Sequence, residues 1–138
     1  MNGDCFLDTN ILLYSISDAP DERAKRERAI ALLRTGRCAL SAQVIQEFYW
    51  QATRPTKSGP LAHEEALALV QSFMRFRFQD TTAALIIAAL DIKPRYRLSY
   101  WDAAIVAAAQ ALGCGTLYSE DMAHGMSIGA TRVVNPFL

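Results

Sequence analysis

Short apolar runs alternate with helix-length amphipathic stretches along this chain, an order that few architectures accommodate. Cys5-Phe6-Leu7 stops at the capping residues Asp8-Thr9-Asn10 and hands over to Ile11-Leu12-Leu13-Tyr14, as a buried strand feeding a helix does. The charged run Asp21 to Arg28 leads into Ala29, Ile30, Leu32 and Leu33, the pattern of a surface helix with one apolar face, and Gly36 suits its end. Cys38-Ala39-Leu40 reads as a second strand; Ser41 then caps a helix carrying Val44, Ile45, Phe48 and Ala52 inward and closed by Pro55.

Prolines, a glycine and cations make Arg54 to Pro60 a loop, after which Glu64 to Phe76 resumes helical spacing through Leu67, Val70 and Met74. A third strand is expected at Phe76 to Phe78, then a helix capped by Thr81 or Thr82 that ends near Ile92, ahead of Pro94. Trp101 to Leu112 reads as the last helix, stopped by Gly113, and Thr116 to Tyr118 and Thr131 to Val134 as the last strands. Strands that alternate with helices favour an α/β fold with a mainly parallel sheet covered on both faces.

A chain of 138 residues fits one domain over 1–138, and 51% hydrophobic residues suffice for a core. The longest apolar stretches, Ala83 to Leu90 and Ala103 to Ala109, fall short of the roughly 20 residues of a membrane helix. Asp4 and Asp8 near the start are unlike a secretory signal, so a cytoplasmic protein is expected. Cys5, Cys38 and Cys114 are widely spaced in apolar surroundings, as reduced buried thiols are. Without a C-x-x-C pair, and with His63 and His124 isolated, zinc is disfavoured. The 14 basic and 14 acidic residues cancel, so any nucleic acid must be met by a local patch rather than a global field.

Acidic residues stand where chemistry gathers in such sheets, at the carboxyl ends of strands. Asp8 follows the first strand, Ser119-Glu120-Asp121 follows the strand at Thr116, Asp102 lies in the first turn of a helix, and Glu47 lies beside Val44 and Phe48 at the edge of a buried face. Each has a bland alternative: Asp8 as a helix cap, Asp102 in a capping box with Ser99, Glu47 as a solvated helical acid, Asp121 in a turn. Carboxylates brought together repel and raise one another's pKa, a conflict that a divalent cation resolves. Hard oxygen ligands suit Mg²⁺ or Mn²⁺, which polarise phosphoryl oxygen and help generate hydroxide.

Leu7-Asp8-Thr9-Asn10-Ile11-Leu12-Leu13-Tyr14, Gln46-Glu47-Phe48, Ser99-Tyr100-Trp101-Asp102-Ala103, Leu117-Tyr118-Ser119-Glu120-Asp121-Met122 and the closing Val133-Val134-Asn135-Pro136-Phe137 resemble, in order and spacing, the successive motifs of PIN domains. The likeness covers nearly the entire chain and is nearest to the VapC-like toxins of toxin–antitoxin pairs. The resemblance implies a three-layer α/β/α sandwich, an Mg²⁺- or Mn²⁺-dependent endoribonuclease, a homodimer and a cognate antitoxin. It puts the metal-binding and catalytic acids at Asp8, Glu47, Asp102 and Asp121, with Asn10, Ser119 and, more weakly, Thr9 in support. Glu120 is the alternative fourth acid.

Asp8, Asp102 and Asp121 are expected to bind metal directly or through water, while Glu47 completes the shell or orients and deprotonates the attacking water. Arg54, Lys57, Arg75, Arg77, Arg95 and Arg97 are the candidates for RNA phosphate contacts, with a solvated surface as the alternative for each. Apolar positions around Leu67, Val70, Phe73 and Met74 exceed what a small sheet covers, which leaves some for a dimer or antitoxin. Two rivals remain: an aspartate-based phosphatase, for which Asn10 stands where a second Asp belongs, and a module that binds RNA or a partner without catalysis.

Overall fold

Among the described residues, 4–55, 57 and 59–138 of the computed structural model, six strands form one sheet. Thr56 and Ser58 of the expected loop, and residues 1–3 of the stretch compared with a signal, lie outside them. The strands are β1 (Cys5–Leu7), β2 (Cys38–Ser41), β3 (Arg77–Gln79), β4 (Thr116–Tyr118), β5 (Ser127–Ile128) and β6 (Thr131–Val134), in the order β3-β2-β1-β4-β6-β5. Every neighbouring pair is parallel except β5 with β6. Central β1 pairs Phe6 with Ala39 of β2 and Leu117 of β4 and is buried throughout, which is why its sequence is unbroken apolar rather than alternating.

The helices are α1 (Thr9–Ser15), α2 (Arg23–Arg34), α3 (Ala42–Thr53), α4 (His63–Phe73), α5 (Ala83–Tyr96) and α6 (Tyr100–Ala111), with a 3₁₀ turn at Pro20–Glu22. The chain steps outward from β1 through β2 to β3, then crosses back to β4 and on to β6. Right-handed crossovers of opposite travel put their helices on opposite faces. Accordingly α1 packs on α2 and α3, and α3 on α4, while α5 packs on α6, which lies against β2, β4 and β6. The result is the expected three-layer α/β/α sandwich. Ala103 to Ala109 of α6 are all buried; the five alanines among them let this helix sit close to both the sheet and α5.

Several boundaries differ from expectation. Helix α5 does not stop near Ile92 but runs through Pro94 to Tyr96, where Arg97 takes a left-handed conformation (φ 56°) and donates its N–H to Lys93 O. Pro94 is near the helix end, where the bond that it forgoes costs least cooperativity. Thr82, rather than Thr81, accepts from Leu85 N–H and starts that helix. Helix α4 ends at Phe73, three residues before the expected Phe76, and β3 begins at Arg77. The antiparallel β5 is too short to leave a periodic signal. All three cysteines are free and buried, as expected, although Cys5 and Cys38 are direct partners across β1 and β2. No described helix is long and apolar enough to cross a membrane.

Candidate active site

Strands that continue in opposite directions from a central one leave a crevice outside their carboxyl ends. Here that switch falls between β1 and β4. Asp8 is the first residue past β1, and Ser119, Glu120 and Asp121 are the first past β4. Asp8 N–H donates to Tyr118 O at 3.0 Å, so the two strand ends are stitched where the acids emerge.

Asp8 is 6% exposed. Its Oδ1 accepts the Thr9 N–H at 2.7 Å at the start of α1, and its Oδ2 accepts the Ser119 hydroxyl at 2.8 Å. Capping and site geometry therefore coexist in one side chain. Burial pushes its carboxyl up to about 6; the Ser119 and Thr9 hydrogen bonds oppose this, and the charges of Asp121 and Glu47 add to it.

Glu47 projects from α3, whose start is fixed by Ser41 Oγ accepting Val44 N–H at 3.3 Å. Thr9 Oγ1 donates to Glu47 Oε1 at 2.9 Å and so joins α3 to α1. Asp102 enters from α6; its N–H donates to Ser99 Oγ at 3.1 Å, half of the expected capping box. Burial raises the Asp102 carboxyl above its ordinary range and the charge of Asp121 raises it further, against the Ser99 hydrogen bond. Asn10 Nδ2 donates to Asp121 Oδ2 at 3.1 Å, and Asp121 N–H donates to Ser119 Oγ at 3.2 Å.

Asp8, Glu47, Asp102 and Asp121 all line one cleft of about 130 Å³, together with Thr9 and Asn10. Ser119 stands behind Asp8, fully buried. Among the described residues lining the cleft there is no Lys, Arg or His. Nor do three His, Cys, Asp or Glu side chains among the described residues form a ready-made chelating group. A loosely gathered, all-oxygen, cation-free donor set is a poor fit for zinc. It fits a hard divalent cation that keeps part of its water shell and takes one or two carboxylates.

Glu120 is not among the residues lining this cleft. It forms an ion pair with Lys25 and accepts the Tyr14 hydroxyl at 2.5 Å. Burial raises its carboxyl, but the Lys25 and Tyr14 hydrogen bonds outweigh burial and hold it below the ordinary range. Asn10 also accepts the Glu120 N–H at 3.3 Å, so this asparagine sets both consecutive acids.

The cationic candidates are scattered. Lys57 lines an adjoining depression of about 270 Å³ that shares Asn10, Leu13 and Asp121 with the cleft. Arg54 lies 5.2 Å over the Trp50 ring. Arg77 is engaged at the amino end of β3, with Asp4 at 3.0 Å and Leu112 O at 2.5 Å, remote from the carboxyl rim. Arg75 is exposed in the turn before β3, Arg95 faces Asp91 at 3.6 Å on α5, and Arg97 precedes the Ser99 cap.

Sequence reasoning missed Gln43, Gln51 and Trp101 as cleft residues. The spacing Gln43, Glu47, Gln51 was the available signal, since residues four apart share a helix face. Of the expected apolar surplus, Leu67 and Met74 are exposed but Phe73 is buried. A groove of about 420 Å³ lies between α3 and α4, lined by Ile45, Tyr49, Trp50, Leu67 and Val70. Ile86, Ile87 and Leu90 of α5 are a second exposed set that was not anticipated.

A family profile described as PIN domain matches residues 5–124. Comparison with curated proteins finds no sequence match. Among solved structures, the chain is similar to Mycobacterium tuberculosis VapC20, described as a sarcin-ricin loop cleaving toxin, with 21% identity and a TM-score of 0.67 over 86% of this chain and 90% of that one. A toxin-antitoxin complex from Klebsiella pneumoniae gives 20% identity and a TM-score of 0.69, covering 96% and 98%. DNA-bound VapBC from Salmonella typhimurium gives 22% and 0.65, covering 96% and 97%. At these identities the structural likeness concerns the fold.

Proposed function

The chain belongs to the PIN-domain family, and from that premise we propose that it is a divalent-metal-dependent endoribonuclease that hydrolyses RNA phosphodiester bonds, acting as the toxin of a toxin–antitoxin pair. The observation that carries this reading is the convergence of Asp8, Glu47, Asp102 and Asp121 on one cation-free cleft at the switch point of the sheet. Asp8, Asp102 and Asp121 would hold Mg²⁺ or Mn²⁺ directly or through water. When bound, the ion neutralises the carboxylates, polarises a phosphoryl oxygen and lowers the pKa of water.

The chain's own groups prepare that chemistry. Ser119 and Thr9 fix the buried Asp8 carboxylate through both of its oxygens, and Asn10 fixes Asp121. Glu47, held by Thr9 through Oε1, keeps a second oxygen to orient the attacking water and accept its proton. Hydrolysis then joins the water oxygen to phosphorus and breaks the bond to the leaving oxygen.

A cognate antitoxin and a second copy of the chain are the proposed protein partners. The toxin-antitoxin and VapBC complexes among the similar structures support the first, and the exposed apolar residues on α3, α4 and α5 are the available surfaces. The test is to incubate the purified chain with cellular RNA in Mg²⁺, in Mn²⁺ and in chelator, beside the Asp8→Asn variant. Metal-dependent cleavage absent from the variant is expected. Equal cleavage by Asp8→Asn, or cleavage undiminished by chelator, would sink the assignment.

A further inference from the structure

Trp101 is 63% exposed although it occupies the first turn of α6, a helix otherwise buried through its middle, and it lines the carboxylate cleft one residue before Asp102. An indole this exposed at the edge of the acidic cleft presents a free aromatic face to whatever binds there. Its position is fixed from two sides. Gln43 Nε2 donates to Trp101 O at 3.1 Å from α3, and the Tyr100 ring meets the indole edge-on at 5.0 Å and 81°.

None of the cleft's described lining residues is cationic. Beyond what a bound metal ion supplies, grip inside the cleft must come from groups other than cationic side chains. An aromatic face beside the acids, with the Gln43 and Gln51 amides on the facing helix, offers stacking to a base and hydrogen bonds to its edge. Resting on the nuclease reading above, we infer that Trp101 is a stacking platform for an unpaired nucleobase flanking the scissile phosphate. Such a platform acts only on a base that is free of a duplex, since a base within one has no free face to offer.

The test uses the two tryptophans of the chain. In Trp50→Phe, Trp101 is the remaining indole; its fluorescence is titrated with oligo(rA), alone and annealed to oligo(rU), with Ca²⁺ in place of Mg²⁺. The free strand quenches the emission and the duplex does not. By anisotropy of a labelled strand, Trp101→Ala and Trp101→Leu weaken binding by about five- to a hundredfold, and Trp101→Phe, which retains a π-face, recovers most of it. Circular dichroism checks the fold of each variant. Wild-type affinity in Trp101→Ala and Trp101→Leu, or quenching by the duplex equal to that by the strand, overturns the platform even if the wild type cleaves cellular RNA. Intact quenching with no cleavage of cellular RNA overturns the nuclease reading instead and leaves Trp101 as a binding site.

Discussion

Ser119 Oγ donates to Asp8 Oδ2 at 2.8 Å across the β1/β4 boundary, with both residues buried and 111 positions apart. The bond joins the sheet's two halves at the place where the reaction is proposed, and it opposes the rise in the Asp8 pKa that burial causes. Ser119→Ala leaves one carboxylate oxygen without its donor. We expect a loss of about 1–3 kcal/mol in urea denaturation at neutral pH, together with an upward shift of the acid limb of the cleavage profile. An unchanged profile in a destabilised variant would reduce Ser119 to a structural tie.

In metal-free protein, Asp8 titrates near 6 when folded against an ordinary value of 3.8. Between these values the folded chain retains a proton that the unfolded chain has shed. Stability from this group is therefore present below about pH 4 and lost as pH rises through about 6, a decline of about 3 kcal/mol. Denaturation in chelator across that window measures it. The Asp8→Asn variant should show a flatter curve, and Mg²⁺ should restore wild-type stability at neutral pH; a level wild-type curve in chelator contradicts the burial argument.

Glu120 and Asp121 are adjacent but committed to different partners. Asp121→Asn should lower the rate of cleavage by about 10–100-fold and raise the metal concentration required. Glu120→Gln should stay within a few-fold of wild type and cost about 1 kcal/mol, as a partly covered surface pair does. Reversed results in single-turnover assays would move the fourth acid by one place.

Arg77 is tied within the fold, whereas Lys57 borders the acidic cleft, so the two should respond differently to removal. Arg77→Ala loses its contacts with Asp4 and Leu112 O, so it should destabilise the fold by about 1 kcal/mol without changing the salt dependence of RNA binding. Lys57→Ala, beside the acidic cleft, should lessen the salt slope by about 1 with no loss of stability. Equal slopes for wild type and Lys57→Ala would remove Lys57 from the RNA path.

Much of this was legible in local sequence, because strand ends and helix starts carry their own chemistry. Asp8 after Cys5-Phe6-Leu7 and Asp102 after Ser99 could be assigned to one rim from caps and apolar runs alone. What local patterns cannot carry is pairing at a distance. The Lys25–Glu120 ion pair spans 95 positions, and it gives different partners to two neighbouring acids that look equivalent in the sequence. Gln43 and Gln51 were not singled out in the sequence, and their place in the cleft emerges only with α6 laid opposite them. Pro94 looked like a stop because proline usually is one; the packing of α5 along α6 carries the helix past it.

The two rims of the sheet end differently. On one side β5 folds back against β6 as an antiparallel pair, and on the other β3 is only three residues long and opens with an arginine. Long, flat, uncharged rims are where separate chains add strands to one another. With neither rim of that kind, the protein should resist fibril growth even when crowded, and self-association should proceed through helices rather than through shared backbone ladders.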